Sequence, residues 1–201
     1  MIEPLTLLTF IPAALALNLT PGADMMLCMG QGMRGGARSA WKASAGVACG
    51  GLVHGLLAGI GVAALVARHP AAFEVIRWVG AAYLLWMAWK ALTSGATPDA
   101  RPRRGPAFRD GLIVNLTNPK VILFNLALVP QFVDPSRPVL PQFLVFAGVL
   151  SLGGLVVNGM AGAMAGWARG AISGPASRWF DRVSASIFAF LALRLALMER
   201  S

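Results

Sequence analysis

The stretch NLTPGAD at residues 18–24 decides how this chain can fold, and NLTNPK at residues 115–120 repeats its pattern in the second half. Each stretch places a proline deep inside a long apolar run, at Pro21 and at Pro119. Proline has no backbone N–H, so it cannot bond the carbonyl four residues earlier and it interrupts a helix. The sequence therefore predicts two broken helices at matching places.

The composition around these stretches is that of a membrane protein. The chain has 201 residues, of which 57% are hydrophobic and 12% are charged, and its mean hydropathy is +0.67. Soluble domains have roughly 45–50% apolar and about 25% charged residues. So few charges cannot cover a water-facing surface, and a disordered chain would need low hydrophobicity and high charge. We therefore expect an all-α integral membrane protein.

Six apolar runs are long enough, or nearly long enough, for the roughly 17–25 residues of a membrane span. They are Leu5–Met29, Ala43–Ala67, Val75–Leu92, Leu112–Val133, Leu140–Ala168 and Val183–Met198. The third and sixth are short and carry cations at both ends, but long cationic side chains can reach the interface from within a span. The sequence predicts six transmembrane helices, the first and fourth interrupted.

The two halves of the chain repeat each other in order. GGLV at residues 50–53 recurs at residues 153–156, and His54 falls opposite Asn158. Three spans per half is an odd number, so the halves would enter the membrane in opposite directions, as an inverted 3+3 repeat. The expected organisation is a first repeat at 1–92, a linker rich in proline, glycine and arginine at 93–110, and a second repeat at 111–201.

The distribution of cations predicts the orientation and argues against nucleic acid as a partner. The net charge is +9, but the cations lie between apolar runs and do not alternate with aromatic residues. Eleven lysines and arginines would share the side of the linker and five the other side, which places the linker in the cytoplasm and both termini outside. The two cysteines and two histidines have no spacing typical of a metal site, so we expect no metal and no cofactor.

Asp24 and Lys120 are the ionisable residues of the two broken runs, and each would lie in the first turn after its break. A charge at the bilayer centre costs about 2.5–3.5 kcal/mol on insertion scales. The helix dipole favours Asp24 there but opposes Lys120, so Lys120 needs Asp24, free carbonyls or an anionic ligand. A transport site explains this pattern, and a buried structural ion pair is the alternative.

Several polar neighbours are weaker candidates. Asn18, Asn115 and Asn118 could bind a ligand or cap the broken helices, and Asn125 could line the same cavity. His54 could relay protons or make a hydrogen bond between helices.

Five stretches carry a resemblance to a known family. They are NLTPGAD at 18–24, GGARSAW at 35–41, GAAYLLWMAWKAL at 80–92, FRDGLIVNLTNPKVILF at 108–124 and LVPQFV at 128–133. Together they resemble the LysE/RhtB family of bacterial amino-acid exporters over nearly the whole chain. The family motif usually has a second proline where this chain has Ala23.

The resemblance implies a multi-pass secondary transporter of the bacterial inner membrane, which exports amino acids or their derivatives in exchange for protons. Amino acids, protons and membrane lipid would be its partners, and a homo-oligomer is compatible with the sequence. The expected substrate-binding residues are Asn18, Pro21, Gly22, Asp24, Asn115, Asn118, Pro119, Lys120 and Asn125. Lys120 would bind the substrate carboxylate and Asp24 its ammonium, and Asp24 and His54 would couple transport to protons.

Three alternatives remain at this point. Another small solute or a cation could use the same scaffold, although a metal would need clustered acidic or soft ligands. An intramembrane enzyme would need a catalytic pair, and the deep residues do not supply one. A structural protein would have no use for polar groups in the middle of the bilayer.

Overall fold

The computed structural model describes residues 2–68, residues 106–167 and a few isolated helical positions between residues 75 and 89. The regular secondary structure of these parts consists of helices alone, which confirms the all-α class. The predicted third run is described only at the isolated positions, and the sixth run and most of the linker lie outside the described residues. The helices are α1 (Pro4–Leu19), α2 (Ala23–Arg68), α3 (Ala107–Leu116), α4 (Pro119–Leu123) and α5 (Val139–Trp167).

Both predicted helix breaks are present. α1 ends at Leu19 and α2 begins at Ala23, so the chain is non-helical around Pro21. α3 ends at Leu116, and α4 begins with Pro119 as its first residue. α4 continues through a π-helical turn, Phe124–Leu128, and a 3-10 turn, Val129–Phe132.

α2 doubles back on itself at Gly36, which has φ 70° and ψ −174°. In a straight α-helix, Cys28 and Ala40 would lie about 18 Å apart. Instead, atoms of both lie within 3 Å of the position that a Cβ on Gly162 would occupy. α2 is therefore a hairpin with an N-terminal arm, residues 23–35, and a C-terminal arm, residues 37–68.

This hairpin corrects the predicted loop between the first two runs. Arg34, Arg38 and Lys42 were expected in that loop, but all three are exposed helical residues. A single glycine suffices for the reversal because it adopts positive φ without the steric cost that a Cβ would bring.

Helix α3 begins earlier than its apolar run. Its first residue is Ala107, so residues 107–110, expected at the end of the linker, form the first helical turn. α3 packs closely on the C-terminal arm of α2, and glycines at the contact make this possible. A Cβ on Gly46 would overlap the Phe108 carbonyl, and a Cβ on Gly111 would overlap the Ala43 carbonyl.

The described residues contain two or three candidate membrane spans by length and composition. Ala23–Leu65 and Val139–Trp167 each qualify alone, and Ala107–Leu116 with Pro119–Phe132 forms a third, bent by 52°. α1 is apolar but shorter. The arrangement of six spans remains a prediction.

An aromatic cluster joins α1 to the second half of the chain. The ring of Phe10 lies 4.7 Å from that of Phe146 and 5.1 Å from that of Phe132, measured between centroids. Phe10, Phe124 and Phe146 are fully buried. This cluster fixes α1, and with it the first helix break, against α4 and α5.

Candidate functional site

The two helix breaks end in the same way. Thr20 donates from its backbone N–H and its Oγ1 to the Ala16 carbonyl, at 3.0 and 2.6 Å. Thr117 does the same to the Ile113 carbonyl, at 3.1 and 2.9 Å. Each threonine thus satisfies a carbonyl of the last helical turn before its break.

Lys120 connects the second break to the first. Its Nζ donates to the carbonyls of Leu17, at 2.9 Å, and Thr20, at 2.8 Å. The Leu17 carbonyl is the one that lacks a helical donor because residue 21 is proline. Lys120 itself is held in the first turn of α4, where Asn118 Oδ1 accepts from its backbone N–H at 3.1 Å.

Asp24 has the matching position on the other side. It lies in the first turn of α2, and Asn115 Nδ2 donates to its Oδ2 at 2.8 Å. Asn115 is also the residue whose carbonyl Pro119 leaves without a helical donor, and His54 Nε2 lies 3.1 Å from that oxygen. Because a carbonyl oxygen can only accept, this contact requires the proton of His54 on Nε2.

The structure therefore gives each freed carbonyl a donor from a different part of the chain. Lys120 supplies the donor for Leu17. The Asn115 carbonyl accepts locally from the Asn118 backbone N–H at 2.9 Å, and His54 is its partner from a distant part of the chain. The Asp24 carboxylate accepts from the Asn115 side chain, whereas the Lys120 ammonium donates to the carbonyls of Leu17 and Thr20. Both residues nevertheless border one cavity.

That cavity has a volume of about 30 Å³ and lies between the two breaks and α5. Its polar lining residues are Asn18, Thr20, Asp24, Asn115, Lys120, Ser151 and Asn158. One water molecule needs about 10–15 Å³ measured in this way, so the cavity is large enough for very few waters. A larger ligand requires the helices to separate.

Three buried polar atoms of lining residues are notable because they lack a hydrogen-bond partner among the described residues. They are Asp24 Oδ1, Asn115 Oδ1 and Ser151 Oγ. Buried polar groups in native proteins are normally paired with protein or water. The three atoms are therefore suited to bind a polar ligand or water in the cavity.

The structure brings together only some of the residues predicted for the site. Asn18, Gly22, Asp24, Asn115 and Lys120 line the cavity. Pro21, Asn118 and Pro119 form the breaks without lining it. Asn125 is buried in the π-helical turn and donates to the Val121 carbonyl at 2.9 Å, and it too does not contribute to the lining.

Sequence reasoning missed two residues that matter here. Ser151 lines the cavity from α5, and its helical spacing to Asn158 could have revealed their common face. Asp110 is 2% exposed, and Gln31 Nε2 donates to its Oδ2 at 3.3 Å. Asp110 was expected at the end of the linker at 93–110, but it is a buried helical residue because α3 begins at Ala107 and packs against α2.

Comparison with known proteins identifies the family. A sequence model described as LysE type translocator matches residues 15–199 of this chain. The chain belongs to the LysE type translocator family. As a member of this family, it is a multi-pass membrane transport protein and not an enzyme.

Relatives of this translocator include three bacterial proteins, two of which are named as efflux proteins. It is 38% identical over 143 residues to an "Uncharacterized membrane protein" of Vibrio cholerae, covering 69% of this chain and 70% of the relative. It is 40% identical over 136 residues to a "Homoserine/homoserine lactone efflux protein" of Salmonella typhi, and the match covers 64% of this chain and 65% of the relative. It is 34% identical over 151 residues to a "Leucine efflux protein" of Enterobacter sp. (strain 638), covering 72% of each. No solved structure matches this chain significantly.

Proposed function

We propose that this translocator exports amino acids or their derivatives across the bacterial inner membrane in exchange for protons, and that the substrate binds in the cavity between the two helix breaks. The names of the efflux relatives support the substrate class. The observation that carries the site is the pair of opposite charges, Asp24 and Lys120, that borders one cavity.

The cavity complements an amino-acid zwitterion. Lys120 Nζ donates to two backbone carbonyls, and a substrate carboxylate would be a stronger acceptor because it is charged. If the Lys120 ammonium moved from these carbonyls to the substrate carboxylate, the carbonyl oxygens of Leu17 and Thr20 would be released. Those oxygens and Asp24 Oδ1 then become acceptors for the substrate ammonium.

Proton exchange would use the Asp24 carboxylate. Deprotonated Asp24 attracts the substrate ammonium on the cytoplasmic side, and protonation on the outer side removes that attraction. The Asn115 side chain donates to the same carboxylate, while the Asn115 carbonyl is in contact with His54. Asn115 thus links Asp24 to His54. A change in the protonation of Asp24 would alter the hydrogen bonds of Asn115 and so reach His54, and this link is the role in proton coupling that we assign to His54.

Reciprocal contacts between the halves support the inverted 3+3 repeat. Asn115 lies against Gly50 of the first half, where a Cβ would come 2.6 Å from its Oδ1. Asn18 lies against Gly153 of the second half, where a Cβ would come 2.8 Å from its Nδ2. The repeat pairs Asn18 with Asn115 and residues 50–53 with residues 153–156, so the two contacts are related by the proposed symmetry.

Export then requires two states that open the cavity to opposite sides. The described cavity is too small for an amino acid, which fits an occluded arrangement between them. In the orientation predicted from the cations, the hairpin turn at Gly36 faces the cytoplasm.

The test is a survey of labelled amino acids in proteoliposomes with an imposed pH gradient. We expect uptake or counterflow of at least one zwitterionic amino acid, increased by the gradient and lost in Lys120→Met. Lys42→Met is the matched control, since Lys42 is exposed outside the cavity. Absence of transport for every amino acid tested would overturn the proposal.

A further inference from the structure

Helix α5 forms the uncharged wall of the cavity. No Asp, Glu, Lys or Arg occurs in Val139–Trp167, and its buried polar residues are Gln142, Ser151 and Asn158. Gln142 is occupied at the helix start, where it bonds the backbone N–H and carbonyl of Asp134. Ser151 and Asn158 instead line the cavity, on either side of Gly154.

Ser151 carries a buried hydroxyl on the face of α5 that lines the cavity. The residue is 7% exposed, and its Oγ has no hydrogen-bond partner among the described residues. A serine in a helix commonly donates back to a carbonyl of the preceding turn, but Ser151 does not. Ser44, which packs on the same helix, is satisfied because its Oγ donates to the Leu155 carbonyl at 2.8 Å.

Gly51 on the opposite helix keeps this hydroxyl accessible from the cavity. A Cβ on Gly51 would come 2.6 Å from Ser151 Oγ. Any larger residue would therefore contact the hydroxyl and take the space beside it. The glycine and the unpaired serine together form a small polar recess in the cavity wall.

The charged groups of the cavity belong to other elements. Asp24 is on α2 and Lys120 on α4, each next to a helix break. If these residues hold the ammonium and carboxylate of a substrate, as the proposed function requires, the substrate side chain faces the remaining wall. That wall is formed by α5, with Ser151 and Asn158, and by the C-terminal arm of α2, with Val47, Ala48 and Gly51. Among these residues, Ser151 and Asn158 are the ones with polar side chains.

We propose that Ser151 determines side-chain specificity and that the preferred substrates are neutral amino acids with a hydroxyl or amide side chain. A substrate hydroxyl or amide would pair with Ser151 Oγ, whereas an aliphatic side chain of the same shape would leave it unpaired. Sites that hydrogen-bond a polar substrate group discriminate strongly against analogues that lack it.

The experiment compares substrates of equal shape in proteoliposome counterflow. Threonine and valine form one pair, and asparagine and leucine form the second. The wild-type protein is expected to favour the polar member of each pair at least tenfold. Ser151→Ala should reduce this ratio about tenfold, which corresponds to about 1.4 kcal/mol, whereas the control Ser44→Ala should keep it.

Ser151→Cys is a second variant that keeps the branching of the side chain, with a somewhat larger atom, but weakens the donor, and it should also lower the ratio. Three outcomes would each overturn the assignment of Ser151. They are equal transport of the polar and apolar substrate of each pair by the wild type, an unchanged polar-to-apolar ratio in Ser151→Ala, and transport restricted to charged amino acids. All three outcomes would leave amino-acid export intact. Loss of transport for all amino acids would instead refute the proposed function itself.

Discussion

Lys120 Nζ lies 2.9 Å from the carbonyl oxygen of Leu17, the group that Pro21 leaves without its helical donor. The lysine of one half thus compensates for the proline of the other half. This ammonium stabilises the first break, and in the proposed mechanism it also attracts the substrate carboxylate.

Lys120→Met is expected to abolish substrate binding and to destabilise the protein moderately. The substitution leaves two buried carbonyls unpaired, at a cost of about 1–3 kcal/mol each. Binding should be measured by substrate-induced thermal stabilisation, and stability by the midpoint of unfolding without substrate. Lys120→Arg separates the two roles, because a guanidinium can still donate to the carbonyls but has a different reach. Substrate-induced stabilisation that survives in Lys120→Met would contradict the role in binding.

Asp24→Asn should block export driven by a proton gradient while leaving exchange of substrate for substrate at reduced affinity, because the substrate ammonium loses the charge of Asp24. Asparagine keeps the shape and can still accept from Asn115 Nδ2, so the fold should be retained. It cannot release a proton, and substrate exchange needs no net proton movement. The measurement compares gradient-driven uptake with counterflow in the same vesicles, and Asp134→Asn in the exposed loop is the control.

A structural role of the charges would have a different signature. Removing one partner of a buried ion pair costs about 3–5 kcal/mol, and a double neutral variant recovers stability. If the charges serve transport, the double variant Asp24→Asn with Lys120→Met should be inactive and no more stable than Lys120→Met, because the carbonyls of Leu17 and Thr20 still lack their donor. Normal proton-driven export by that variant would refute the mechanism.

The sequence predicted the helix breaks but not the packing around them. Proline acts on its own helix, so the interruptions at Pro21 and Pro119 follow from local chemistry. The partners of the freed carbonyls come from distant parts of the chain. Three partners for Lys120 were compatible with the sequence, and in the structure its ammonium donates to the backbone carbonyls of Leu17 and Thr20.

Features that depend on one glycine or one helix boundary could not be predicted. The chain has 23 glycines, and nothing local distinguishes Gly36, which reverses α2, from those inside helices. The polar sequence around Asp110 is typical of a solvated linker, and its burial depends on the start of α3 at Ala107, which no local signal indicated. The orientation of Ser151 depends in the same way on how α5 packs against α2.

Gly36→Ala should destabilise the hairpin of α2. Gly36 has φ 70° and ψ −174°, a combination that only glycine adopts readily, and a residue with a Cβ held there costs about 1–3 kcal/mol. Gly30→Ala on the same helix is the control, since its Cβ would meet nothing within 4 Å and alanine favours helix over glycine by about 1 kcal/mol. Thermal unfolding in detergent should show a lower midpoint for Gly36→Ala alone. Equal midpoints for both variants would argue against a strained turn.

The linker at 93–110 is expected to face the cytoplasm. The prediction rests on the excess of cations on its side and can be tested by cysteine labelling of intact cells. The background should lack Cys28 and Cys49, of which Cys49 is exposed. A cysteine at Ser94 should react with permeant reagents and resist impermeant ones. Labelling of Ser94→Cys from outside would reverse the orientation.

Gly50→Ala and Gly153→Ala should impair transport to a similar degree if the halves form an inverted repeat. The added methyl would contact Asn115 in the first case and Asn18 in the second, at 2.6 and 2.8 Å. Both asparagines line the cavity, so each methyl should displace a cavity residue and reduce transport several-fold. Gly148→Ala is the control on α5, because a Cβ there would meet nothing within 4 Å. Transport rates and unfolding midpoints of the three variants should be measured side by side. A large loss in one of the two paired variants, with the other indistinguishable from Gly148→Ala, would show that the two contacts are not equivalent and would count against the repeat.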